Sequence, residues 1–284
     1  MSNHDLFQRF LFEDFQIRGE IVRLNQSYLE VLNRKDYPEM LARLLGEALV
    51  ATTLLSGTLK FEGILAVQAR AKGPVTLLMT ECTHERQIRG IAEWEGVIPE
   101  EDLAMQLREG MLAITIDPEK GSRYQGIVPL ERRSLAHCLE HYFELSEQLD
   151  TFILIHVSDQ SAAGMLLQKL PAHNPEHDAD AWNRITSLAA SLKAEELHQL
   201  ENEEILYRLF NEERVTLYPS EAVKFHCSCT RARTENAIRA MGAAEVYELL
   251  SEKSPIEVDC QFCGQHYCFD RTDIEHLFGK NILH

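Results

Sequence analysis

Two pairs of closely spaced cysteines constrain this chain more than any other feature: His226-Cys227-Ser228-Cys229 and, thirty residues later, Cys260-Gln261-Phe262-Cys263-Gly264. Together they offer four sulfurs, the full tetrahedral set of a structural zinc site. The sulfurs can converge only if the insert folds back on itself, and the insert is equipped to do so. Residues 234–241 and 243–250 read as two short helices broken at Gly242. Residues 256–259 and 266–270 read as a hairpin with the second pair in its turn. Gly264 gives that turn the freedom for backbone N–H groups to approach sulfur. One zinc ion on Cys227, Cys229, Cys260 and Cys263 is therefore expected. His226, His266 and His276 are rival ligands, but a complete cysteine set leaves them no vacancy.

A module of roughly 60 residues has little core, so the metal would supply much of its folding free energy. Zinc holds its ligands as thiolates, the form that also attacks oxidants. Oxidation to sulfenic acid and then disulfide would remove ligands, release the metal and undo the module. Of the other three cysteines, Cys82 and Cys138 lie among leucines and are expected as buried small hydrophobes. Cys268, five residues past Cys263, is expected to pack in the small core of the module.

The first 170 residues read as a separate α+β domain with a largely antiparallel sheet and packed helices. Residues 38–55 form a long helix, with Asp36 as its cap, Pro38 in its first turn and Gly57 just beyond its end. Leu41, Leu44, Leu45, Ala48, Leu49 and Thr52 give that helix one apolar face. Strands are expected over 20–24, 63–71, 75–81, 87–93, 111–117, 151–158 and 164–169, with a second helix over 134–149 started by Ser134. Strands that follow one another without helices between them favour antiparallel pairing.

After Leu170 the texture changes. The stretch from Pro171 to Asp178 is polar and broken by prolines, as a hinge would be. Helical but thinly apolar sequence follows, with stripes at Trp182, Ile185, Leu188 and Leu192, and at Ile205, Leu206, Leu209 and Phe210. Between them, residues 193–204 carry five glutamates against one lysine. Such a helix is marginal unless docked. Three parts are thus expected: a core domain over 1–170, a metastable helical linker over 171–221 and a zinc-binding domain over 222–284.

Several function classes are disfavoured. No run approaches the roughly 18 consecutive apolar residues of a membrane span, and residues 1–13 lack the pattern of a secretory signal. A cytoplasmic location, with seven cysteines kept reduced, is the expectation. The net charge of −17 repels nucleic acid and anionic membranes. From Ala222 onward there are seven lysines and arginines against nine acids, so the module has no basic face either. Glycine-rich nucleotide loops and hydrolase motifs are missing, which argues against an enzyme and against nucleotide as a ligand. Two alternatives stay open on the residues alone. One is a zinc-ribbon module binding nucleic acid or a transcription partner, and the other is a thiol–disulfide oxidoreductase.

The chain resembles the heat shock protein 33 family over essentially its whole length. Besides the four cysteines, the resemblance rests on Asp36-Tyr37-Pro38, Leu45-Gly46-Glu47-Ala48, the stretch from Thr58 to Gly63 and Tyr124-Gln125-Gly126-Ile127-Val128-Pro129-Leu130. His141-Tyr142-Phe143 and Ser146-Glu147-Gln148-Leu149 add to it. The resemblance implies a redox-regulated, ATP-independent holdase chaperone, inactive while reduced and zinc-bound. Oxidation would form the disulfides Cys227–Cys229 and Cys260–Cys263, release zinc and unfold the linker. The activated form would dimerise and hold unfolding client proteins under oxidative stress.

Overall fold

The computed structural model describes residues 5–59, 62–98, 106–107, 109–171 and 180–279. The expected hinge falls outside them from 172 onward, as do Lys60 and Phe61 of the Thr58-to-Gly63 motif. Two compact units form, residues 1–226 and 227–284.

Among the described residues, twelve strands of the first unit build two six-stranded sheets. They are β1 (Leu6–Phe12), β2 (Ile17–Leu24), β3 (Gly63–Arg70), β4 (Val75–Thr83), β5 (Gln87–Trp94), β6 (Met111–Pro118), β7 (Tyr124–Pro129), β8 (Thr151–Val157), β9 (Ala162–Lys169), β10 (Val215–Leu217), β11 (Glu221–Ala222) and β12 (Lys224–Phe225). One sheet runs β10-β1-β2-β9-β8, with β11 also on β1. The other runs β12-β5-β4-β3-β6-β7. All pairings described are antiparallel except β12 on β5. The expected α+β architecture forms, with two sheets in place of one.

The helix Glu39–Thr58 lies between the two sheets and touches strands of both. That position explains a difference from the sequence reading. Beyond the expected apolar face, Val50, Ala51, Thr53, Leu54 and Leu55 are buried as well, because a helix walled on two sides needs apolar residues all round. By length and composition alone this helix could cross a membrane, yet here it is the core of the unit. It also starts and ends differently. Pro38 precedes it without any side-chain cap, so Asp36 does not serve as one. Gly57 is inside the last turn, where a Cβ would come within 2.2 Å of the Phe7 ring. The second expected helix splits into Leu135–Tyr142, whose first turn Ser134 caps by accepting the His137 N–H, and a π-helical turn over Phe143–Glu147.

The far face of the first sheet is covered too. Three short helices, Ala181–Ala189, Ala194–Gln199 and Asn202–Phe210, lay Ile185, Ala189, Leu192, Leu197, Ile205 and Phe210 against Phe10, Phe12, Ile21, Met165 and Leu167. The sheet therefore alternates its side chains between two cores, and β9 is buried along almost its whole length. Polar groups lock this layer in place. Arg23, buried in β2, donates to the carbonyls of Leu197 (3.1 Å) and Leu200 (2.5 Å), satisfying a helix end. The Asn202 amide donates to Gln8 Oε1 at 2.8 Å. The glutamates repel less than their spacing suggests, because the segment breaks into separate helices. Glu195, Glu196, Glu203 and Glu204 then fall in first turns, where the helix dipole favours anions. Glu196 also accepts the Lys193 N–H and pairs with Arg208.

Candidate metal centre

The second unit is built around five buried side chains: Ile238, Val246, Leu250, Phe269 and Ile274. Its insert folds as helices Arg231–Met241 and Ala243–Glu252 followed by β13 (Ile256–Asp259) and β14 (His266–Phe269), close to the expected elements. Thr230 caps the first helix by accepting the Arg233 N–H. One helix, Arg271–Phe278, escaped the sequence reading. Its signal was present, since Asp270 and Asp273 cap each other's backbone N–H groups ahead of Ile274 and Leu277.

The fold brings all four expected ligands together. One sulfur from each of Cys227, Cys229, Cys260 and Cys263 lies within 4.8 Å of every other. Cys227 and Cys260 stand 3.6 Å apart, and Cys229 and Cys263 stand 3.3 Å apart. A tetrahedral zinc with bonds of ~2.3 Å needs sulfurs about 3.8 Å apart, so the donor set and its size fit that ion.

The local backbone is arranged for sulfur. The turn between β13 and β14 closes through Gly264 N–H to the Cys260 carbonyl (2.8 Å) and Cys260 N–H to the Gln265 carbonyl (2.9 Å). Gly264 sits at φ 69, a region that favours glycine. The N–H groups of Cys263 and Phe262 point at the Cys260 sulfur, and that of Gln265 at the Cys263 sulfur. The first pair is held by side chains. Arg233 donates to the Ser228 carbonyl at 3.1 Å. Arg231 donates to the Cys268 carbonyl at 2.9 Å, pairs with Asp273 and stacks over the Phe269 ring.

Burial pushes the thiols of Cys260 and Cys263 up, and the neighbouring N–H groups only partly offset it. Without a cation these two thiols resist ionisation, whereas a bound divalent ion reverses that preference. The Tyr267 hydroxyl donates to the Cys229 sulfur at 3.2 Å. That bond, more than burial, pushes its phenol up to about 12, so it stays a donor. Tyr267, like Arg231 and Arg233, is a group at the site that the sequence reading missed. No histidine joins the cluster among the described residues. His266 instead contacts Asp259 at 2.7 Å, and His226 and His276 are exposed. Cys268 is exposed as well, contrary to expectation, because β14 alternates and turns Tyr267 and Phe269 inward. Cys82 and Cys138 are buried as expected.

The family model described as Hsp33 protein matches residues 5–270. This chain belongs to the Hsp33 family. Among its relatives, the 33 kDa chaperonin of Pseudomonas aeruginosa is 49% identical over 285 residues, covering 98% of this chain and 96% of that protein. The 33 kDa chaperonin of Aeromonas salmonicida is 46% identical over 285 residues, covering 99% and 97%. A crystal structure of the Thermotoga maritima 33 kDa chaperonin, at 23% identity, superposes with a TM-score of 0.84 over 96% of this chain and 97% of that one. The Hsp33 fold is thus shared by a distant sequence. All four cysteines of the cluster lie within the span that the Hsp33 model matches.

Proposed function

We propose that this Hsp33 chain is a redox-regulated, ATP-independent holdase that one zinc ion, on Cys227, Cys229, Cys260 and Cys263, keeps inactive. The observation that carries this reading is the convergence of four thiols at the edge of a five-residue core. So small a core depends on its metal, and thiolate ligands are the groups that peroxide removes. When bound, zinc supplies four bonds that fasten the two cysteine pairs to each other. The chain supplies the rest: the N–H groups around Cys260 and Cys263 stabilise anionic sulfur, and the insert holds the pairs in register.

Oxidation is proposed to form Cys227–Cys229 and Cys260–Cys263, release zinc and free the linker of residues 171–221 from the core domain of 1–170. Distance alone does not select those pairs, because the shortest approaches run across them. Chain connectivity does. Once the module loosens, a partner one or three positions away stays near, whereas one more than thirty residues away does not. The linker would then expose Phe10, Phe12, Ile21, Met165 and Leu167, an apolar face suited to unfolding clients. Homodimerisation of the activated form and a cytoplasmic setting belong to the same reading. A net charge of −17 helps keep such a form soluble.

The test treats zinc-loaded protein with peroxide at elevated temperature. Zinc release and suppression of aggregation of a thermally unfolding client are expected to rise together. Peptide mapping should find the two within-pair disulfides. Equal protection by the reduced form, or none from either form, overturns the proposal. Binding of DNA or RNA at physiological salt would favour the zinc-ribbon reading instead.

A further inference from the structure

The sulfurs of the cluster are not hydrogen-bonded alike. Cys260 and Cys263 receive backbone N–H groups from their own turn. Cys229 receives a side-chain hydroxyl, that of Tyr267. The ring behind that hydroxyl is anchored independently of the sulfur. It packs against the small core from the inward face of β14, opposite Val258 on β13. The donor is therefore delivered by the fold of the hairpin and not by the cysteine loop.

We propose that Tyr267 is a positioning residue of the switch: its hydroxyl holds the Cys229 sulfur as a metal ligand and draws its lone pair away from peroxide. The inference rests on the zinc-switch reading above. A thiolate attacks one peroxide oxygen, and with one proton this gives sulfenic acid and water. A second thiolate then displaces the hydroxyl, which leaves with a proton as water, and the disulfide forms. Overall two thiolates, one peroxide and two protons give one disulfide and two waters, with sulfur oxidised and peroxide oxygen reduced. The first attack depends on the availability of the sulfur lone pair, which a hydrogen bond lowers. Tyr267 thus slows attack at Cys229 for as long as β14 stays folded, and its protection ends when the module opens.

The test uses the full chain with Tyr267→Phe, which keeps the ring and removes the hydroxyl. Cobalt(II) substituted for zinc reports on the sulfurs directly. Loss of the hydrogen bond should move the thiolate-to-cobalt charge-transfer band to lower energy while the tetrahedral d–d bands stay in place. Peroxide-driven zinc release should become about three- to tenfold faster, while chelator-driven release without oxidant changes less than about twofold. A merely structural role would alter chelator release and leave the charge-transfer band where it was. Should the variant not fold, site-specific replacement of Tyr267 by meta-fluorotyrosine, a stronger donor, should shift the band the other way and slow oxidation. An unmoved band together with an unchanged peroxide rate overturns the inference. If wild-type protein holds no zinc, or peroxide fails to release it, the zinc-switch reading is what fails. If wild type switches and Tyr267→Phe matches it, only the role of Tyr267 is lost.

Discussion

Glu20 illustrates what a single residue contributes in this fold. It stands on β2 facing the central helix, 1% exposed, and neither carboxylate oxygen has a hydrogen-bond partner. A Cβ at Gly57 would lie 2.8 Å from it. Burial pushes its pKa up to about 8; Arg18, Arg86 and Arg9 pull the other way, and Glu221 adds to the rise. It is therefore a neutral acid around neutral pH. The folded state binds the Glu20 proton more tightly than the unfolded chain does, so stability from this group is full below the unfolded pKa. It is lost as pH rises from about 4.5 toward 8 and beyond. Glu20→Gln keeps the shape and cannot ionise. Relative to the variant, wild type should lose on the order of a few kcal/mol between pH 5 and 9. Both tryptophans, Trp94 and Trp182, lie in the first unit, so denaturant melts followed by tryptophan fluorescence measure the difference. Parallel pH profiles for the two proteins would show that Glu20 is not buried as a neutral acid.

At the level of elements, the three helices over 181–210 make a layer attached to the far face of one sheet. Phe210, 2% exposed, meets the Phe12 ring edge-on at 5.0 Å between centroids. Phe210→Ala should weaken docking by about 3–5 kcal/mol, enough to favour release. Limited proteolysis is expected to cut earlier between 180 and 217 in the reduced, zinc-loaded variant, with the central helix still protected. Client protection should appear without oxidant. An unchanged digestion pattern would mean that this contact does not hold the layer. How much of the fold was legible follows from how each element is buried. β3, with Leu65, Val67 and Ala69 inward, has one buried face and shows its period in the sequence. β1 escaped because Phe7 enters one core while Phe10 and Phe12 enter the other, which erases the alternation. The linker stripe was legible at Ile185 and Leu192, yet Leu188 is 37% exposed. No periodicity within a segment names the surface that will cover it. The convergence of the four cysteines was legible, because their spacing is written locally in the sequence. Tyr267 was not, since its role depends on the hairpin bringing it to Cys229.

Across the whole molecule, stability is divided unequally between the two units. The first encloses the central helix between two sheets and adds a second core beneath the linker helices. Among the described residues, the second has a core of five buried side chains and a cluster of four of its five thiols. Local opening follows such differences in buried apolar contact, so the two units should respond differently to loss of metal. Chelation under reducing conditions isolates that response, because it removes zinc without oxidising sulfur. Hydrogen exchange is then expected to lose protection through the helices Arg231–Met241 and Ala243–Glu252 and through Ile256–Asp259, while Glu39–Thr58 keeps its own. Cys227→Ser, which removes one ligand, should move the exchange pattern the same way without chelator. The three helices over 181–210 supply the discriminating readout. If they also lose protection on chelation, the metal governs their docking and oxidation need only remove the metal to activate the chain. If they stay protected while the cysteine module opens, zinc loss alone is insufficient, and heat must supply the step that lifts them from the sheet. A metal-free second unit as well protected as the zinc-loaded one would remove the basis for a zinc switch.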